Sequence, residues 1–154
     1  EKDDKDMLVY KYQGKVVALK YYGTKTQIEE SDLAGYTDIA AYAFYKKDIT
    51  SVVLPSNIKS VGYEAFAQCQ SLTDVVMKGV EKLASWAFFN CSAMQTVYLP
   101  TTLKTIKGAP FMYCGDEEEP LTIKCASASA PAGWEDTWKN TSRGDAQIVW
   151  NATL

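Results

Sequence analysis

The side chains with most chemical capacity in this chain are four cysteines, Cys69, Cys91, Cys114 and Cys125, and a run of four consecutive acids, Asp116 to Glu119. Thiolates attack electrophiles or hold soft metals, and carboxylates bind calcium or move protons. The sequence contains no histidine, so Ser-His-Asp and Cys-His nucleophilic arrangements are excluded. Zinc fingers and ribbons set their cysteines in close pairs. Here successive cysteines stand 22, 23 and 11 residues apart, and a metal site would have to gather four thiolates from separate segments. Calcium loops alternate their ligands around a turn glycine. The run Gly115-Asp116-Glu117-Glu118-Glu119-Pro120 has no such alternation and reads as a solvated surface loop. Glycoside hydrolysis needs two carboxylates facing each other across ~5–9.5 Å, yet the central acidic candidates, Glu64 and Asp74, fall on different segments of one unit. Gly79, Gly108 and Gly115 are isolated, so no glycine loop is set to cradle a phosphate. The expectation is a chain that is not an enzyme and takes no metal and no cofactor.

The cysteines make sense once the elements around them are laid out. One pattern, aliphatic-x-x-x-Ala-Phe-x-x-Cys-x-x-apolar-x-x-Val-x-apolar, occurs twice in succession. It reads Val61, Ala65, Phe66, Cys69, Leu72, Val75, Met77, then Leu83, Ala87, Phe88, Cys91, Met94, Val97, Leu99. An upstream copy runs through Ile39, Ala43, Phe44, Ile49, Val52 and Leu54, with Lys47 where the others have cysteine. A weaker downstream copy comprises Ile106, Phe111, Cys114, Leu121 and Ile123, interrupted by the acidic run. The recurring Phe is spaced by 22, 22 and 23 residues. A fixed period of this size marks a solenoid, in which one unit cannot bury its apolar face alone and does so only against its neighbours.

Within each unit the segment ending in Leu54, Met77 or Leu99 alternates apolar and variable residues, which predicts a short strand with one face buried. Val52/Leu54, Val75/Met77 and Val97/Leu99 point inward, and the residues between them point outward. The Ala-Phe segments are too short to stand as helices by themselves, and are expected as single helical or 3₁₀ turns on another wall. Cysteines that recur at one repeat position form an internal column, where a thiol packs as a small hydrophobe. Adjacent rungs lie ~4.8 Å apart, against a disulfide Cβ separation of ~3.8 Å, so bridging them would be strained.

Composition fits one globular unit: 47% apolar and 23% charged residues, with a formal net charge of −3. That charge gives no reason to expect a nucleic-acid or anionic-membrane partner, and no apolar run is long enough to cross a bilayer. Residues 1–6 read as a disordered charged tail, with no initiator Met, as fits a secreted protein whose export signal is gone and equally a trimmed piece. Residues 7–27 contain two β-rich runs around Gln13-Gly14-Lys15 and read as a β-hairpin cap. Residues 28–125 are the repeats, the first of them degenerate around Ile28 and Leu33. Residues 126–154 form a C-terminal cap, in which Trp134 and Trp138 share a face and Gln147 to Trp150 supplies a last strand.

The recurring Ala-Phe-x-x-Cys-x-x-Leu-x-x-Val-x-Leu-Pro string resembles the BspA-like class of leucine-rich repeat, and the closing Ala-Pro-Ala-Gly-Trp-Glu-Asp-Thr-Trp is similar to the ending such arrays carry. The resemblance covers residues 28–150. It implies a mainly β, right-handed leucine-rich-repeat solenoid, here of about four to five repeats with a hairpin cap at one end and an aromatic cap at the other. It also implies a secreted or surface-attached bacterial protein whose role is adhesion or protein recognition.

Two surfaces follow from the periodicity. On the strands, Ser51, Asp74 and Thr96 fall into an outward polar column, and Val53, Val76 and Tyr98 into an apolar one. This wall is the first candidate for a protein partner, whether of a host or of a neighbouring cell, and β-branched and aromatic residues also simply suit a strand face. Between the apolar anchor and the Ala-Phe pair stand Tyr42, Tyr63 and Trp86, which could stack on sugar rings or pack over neighbouring turns. The leading expectation is a non-enzymatic, monomeric protein-binding module; the alternatives are a glycan-binding module using these aromatics and a structural spacer.

Overall fold

A computed structural model describes all 154 residues. The chain opens with an antiparallel hairpin, β1 (Met7–Tyr12) and β2 (Lys15–Tyr21). It then coils, each coil contributing a long and a short strand. The long series is β5 (Ser51–Leu54), β7 (Asp74–Met77), β9 (Thr96–Leu99) and β11 (Thr122–Cys125), flanked by β3 (Gln27–Ile28) and β12 (Gln147–Val149). The short series is β4 (Asp38–Ile39), β6 (Ser60–Val61), β8 (Lys82–Leu83) and β10 (Thr105–Ile106). Each series forms its own six-stranded sheet, in the orders β12-β11-β9-β7-β5-β3 and β1-β2-β4-β6-β8-β10. Apart from the hairpin, all named strand pairs are parallel.

The molecule is therefore a β-solenoid, and its coil number exceeds the four to five repeats expected. Six strands stack in the long sheet, because the degenerate segment at Ile28 and the closing segment at Ile148 both pair in register with their neighbours. Neither carries the Ala-Phe-Cys string by which a repeat is recognised; the segment at Ile28 is the degenerate first repeat expected, and the segment at Ile148, expected only as a last strand of the cap, adds a further rung.

A second difference lies in the Ala-Phe segments. The one 3₁₀ helix is Glu30–Leu33, and the Ala-Phe segments are hydrogen-bonded turns. Their backbone donors alternate in direction. Ala43, Tyr45 and Lys47 N–H bond within the coil to Ala40, Tyr42 and Phe44, whereas Tyr42, Phe44 and Lys46 N–H cross to Tyr63, Ala65 and Ala67 of the next coil at 3.2, 2.7 and 3.0 Å. A helix cannot propagate where every second donor is taken sideways, so this turn wall is stitched coil to coil as the sheets are. Such geometry brings non-glycine residues to left-handed φ in each coil, among them Tyr42 at 62°, Glu64 at 51° and Trp86 at 56°.

The interior holds the predicted columns. Phe44, Phe66, Phe88 and Phe111 are fully buried and stack in one file, with centroids 4.8, 5.1 and 5.7 Å apart. Beside it Cys69, Cys91 and Cys114 are buried free thiols. Each Sγ donates to a Phe carbonyl of the preceding coil, Cys69 to Phe44, Cys91 to Phe66 and Cys114 to Phe88, at 3.0–3.1 Å. At the N-terminal end Tyr21 of the hairpin lies over Phe44 at 5.1 Å and closes the file. At the other end Trp134, Trp138 and Trp150 contact one another, and Trp134 Nε1 donates to the Leu103 carbonyl at 3.0 Å.

Residues 1–6, expected as a disordered tail, fold back onto this cap. Lys2 bridges Leu8, and the Asp3 carboxylate accepts from the Lys5 and Met7 amides and from the Tyr36 hydroxyl. The alternation of charges concealed one acid with three donors folded around it.

Candidate functional site

The long-strand wall brings the first predicted set together. Ser51 pairs with Asp74 and Asp74 with Thr96, while Val53 pairs with Val76 and Val76 with Tyr98. The polar column continues through Thr122, the next outward position of the alternation, to Gln147, and the neighbouring column through Lys124 to Val149. Asp74 is exposed and the other five candidates are half-buried. The polar column is bonded within itself: Thr96 Oγ1 donates to Asp74 Oδ1 at 2.6 Å and Thr73 Oγ1 to Oδ2 at 2.8 Å. Both Asp74 oxygens are thus held in fixed directions on a flat β surface whose adjoining column is Val53, Val76 and Tyr98.

The second predicted set lies on the turn wall. Tyr42, Tyr63 and Trp86 are 45%, 41% and 39% exposed and touch in sequence, Tyr42 to Tyr63 at 5.9 Å and Tyr63 to Trp86 at 6.1 Å between centroids. They belong to a longer row that the sequence reading did not see. Tyr45 adjoins Tyr42 at 5.7 Å, Phe89 adjoins Trp86 at 4.4 Å, and Tyr113 adjoins Phe89 at 5.3 Å. The signal was present: Tyr45 and Phe89 each follow the Ala-Phe pair directly, and Tyr113 precedes Cys114. Partial burial and the Glu64 carboxylate push the Tyr42 hydroxyl above its ordinary pKa, and Gln68 Nε2 donates to the Tyr45 hydroxyl at 3.1 Å.

The two central carboxylates lie on different walls. Glu64 lies in the turns between β6 and β7, and Asp74 on the long-strand wall; they face different sides of the solenoid. No group of three or more His, Cys, Asp or Glu side chains is placed to hold a metal ion, and the Asp116 carboxylate instead accepts from the Glu118 and Glu119 amides of its own loop at 2.9 and 2.7 Å. No helix is long and apolar enough to cross a membrane.

Stacked parallel strands, an internal Phe file and capped ends define a leucine-rich-repeat solenoid. The BspA type leucine-rich repeat region matches in six copies over residues 37–122, and the chain belongs to that family. Among solved structures it is similar to a leucine-rich repeat protein from Bacteroides capillosus, with TM-score 0.62 and 18% identity over 97% of both chains. It is also similar to the Treponema pallidum leucine-rich repeat protein TpLRR, with TM-score 0.72 and 19% identity over 99% of this chain and 82% of that one. No curated protein sequence matches. Repeats of this type are protein-binding scaffolds that are generally non-enzymatic and typical of bacterial surface and secreted proteins.

Proposed function

We propose that this chain is a secreted or cell-surface recognition module, without catalysis, that binds a protein partner through the outward face of its long strands. The observation that carries the reading is the registered wall itself. Ser51, Asp74 and Thr96 beside Val53, Val76 and Tyr98 form a rigid apolar stripe edged by an oriented carboxylate. Tyr is enriched at interface hot spots, and polar groups already fixed in direction lose little freedom on binding. Adhesion to a host or neighbouring-cell surface protein fits a bacterial surface array of this kind.

The test is capture on immobilised full-length chain from a panel of purified extracellular and cell-surface proteins, repeated with Tyr98→Ala and Val76→Asp. A partner lost with both variants, while the unfolding midpoint stays within about 4 °C, supports the wall. A partner retained by both variants removes it.

A further inference from the structure

The aromatic row on the turn wall is a second surface, independent of the strand wall. Tyr45, Tyr42, Tyr63, Trp86, Phe89 and Tyr113 touch in an unbroken line, with centroid spacings of 4.4–6.1 Å. The line follows the solenoid axis over the four coils that carry β4, β6, β8 and β10, or roughly 14 Å at the rung spacing of a sheet. Core packing does not account for it, because Tyr42, Tyr63, Trp86 and Tyr113 keep 39–48% of their surface exposed.

Backbone economy does not account for it either. Tyr42 and Trp86 have φ of 62° and 56°, in a region where glycine or asparagine is cheaper by roughly 1 kcal/mol or more. The same position of the intervening coil holds a smaller side chain, Glu64, at φ 51°. Large rings occupy a backbone position that disfavours them, and strain of that kind points from geometry toward function.

The shape of the row selects among ligands. It carries one or two rings per coil and is edged by Lys46, Glu64 and Gln68, each set against a tyrosine of the row, so it lacks the broad dry centre of a protein interface. An extended peptide would seek free backbone groups, and the amides of this wall are already spent between coils. Phe44 donates to Ala65, Phe66 to Ala87, Gln68 to Phe89, Phe88 to Pro110, Asn90 to Met112 and Tyr113 to Thr141, at 2.7–3.1 Å. What remains for a ligand is ring surface with hydroxyl, amide and carboxylate tips alongside. That is the complement of a saccharide, whose ring C–H faces are apolar and whose hydroxyl rims are polar. Rings carried from coil to coil along the solenoid axis suit an extended, ribbon-like β-linked chain.

We propose that this row binds an extended β-linked oligosaccharide, with Tyr63 and Trp86 at its centre. Trp86 is also a reporter: it is 39% exposed, whereas Trp134 and Trp138 are each 5% exposed in the C-terminal cluster.

The experiment titrates the full chain with cellohexaose, xylohexaose and chitohexaose, following tryptophan fluorescence and binding heat. At least one hexasaccharide is expected to shift the emission and to bind more tightly than its disaccharide. Trp86→Asn, which suits the left-handed backbone and so preserves the fold, and Tyr63→Ala are each expected to weaken binding on the order of tenfold, with Tyr98→Ala unaffected. Three silent hexasaccharides at millimolar concentration overturn the proposal, as does saccharide binding that Trp86→Asn leaves intact. If Trp86→Asn instead abolishes capture of a protein partner, the row is a protein-binding surface and the proposal fails. Because Tyr98 and Val76 lie on a different wall, either surface can fail without the other.

Discussion

The rings of Phe66 and Phe88 lie 5.1 Å apart and 6° from parallel, although 22 residues separate them in the chain. Each coil places its Phe directly on the Phe of the coil before, and every one in the file is fully buried. Stability in such an array passes from neighbour to neighbour, so a defect at the middle divides it.

Phe66→Ala is therefore expected to destabilise by about 3–5 kcal/mol, the usual cost of truncating a core aromatic. The file above and below would lose its shared ring, and the cavity would open between two coils rather than at an end. Denaturant unfolding followed by circular dichroism measures it; a loss below about 1 kcal/mol would show that the file is not what joins the coils.

The central coils were legible because two signals coincide there, a Phe period of 22 residues and strands alternating inward and outward. Ile28 and Ile148 offered only the second, over two and three paired residues, enough for a degenerate repeat at the first and only a closing strand at the other. The Ala-Phe turns misled for another reason. Their donors go by turns to their own coil and the next, and nothing local in Tyr42-Ala43-Phe44-Tyr45 reports the lateral half. The strand columns could be written from alternation alone, whereas the aromatic row depends on side-chain directions at left-handed residues such as Trp86, which no period of two or three describes.

Gly79 belongs with the features that only stacking explains. A Cβ placed there would lie 2.3 Å from the Ser56 carbonyl oxygen and 2.7 Å from its Cα, both backbone atoms of the preceding coil. Gly79→Ala is expected to cost about 1–3 kcal/mol as overpacking. At Gly14 a Cβ would meet nothing within 4 Å but φ is +80°, so Gly14→Asn should be close to neutral. Thermal melts of the two variants separate these cases; equal losses would contradict the close approach of the coils.

The thiol column gives a pH dependence. At Cys69 the neighbouring Cys91 thiol and burial both push the pKa well up; burial does so at Cys91 and lifts Cys125 to about 12. In the unfolded chain these thiols ionise near pH 8.5. Above that pH the unfolded state releases protons that the folded state retains, so stability falls as pH rises. Unfolding midpoints should decline from about pH 8.5 upward, and Cys91→Ala should show a shallower decline than wild type relative to its own value at pH 7. Native protein at pH 8 should label slowly with a thiol reagent and yield all four thiols on denaturation. Rapid native labelling at Cys69 or Cys91 would mean that the column is open to solvent.

On the strand wall, stability and recognition are expected to separate. Tyr98 is half-buried on an outward column, between Val76 and Lys124, so Tyr98→Ala leaves no enclosed cavity and should cost under about 1.5 kcal/mol of stability. At the centre of a contact the same truncation typically costs about 2 kcal/mol or more of binding, roughly thirtyfold in Kd. Asp74 should behave differently. Its oxygens are already hydrogen-bonded to Thr96 and Thr73, so Asp74→Asn preserves the shape of the wall while removing its charge. Loss of an exposed charge acts mainly on association rate and its salt dependence. Surface plasmon resonance across a salt series resolves the two: Tyr98→Ala should raise the dissociation rate, and Asp74→Asn should change the association rate and flatten its salt slope. A uniform effect of both variants on the dissociation rate alone would mean that the Asp74 carboxylate contacts the partner directly and that its bonds to Thr96 and Thr73 give way on binding.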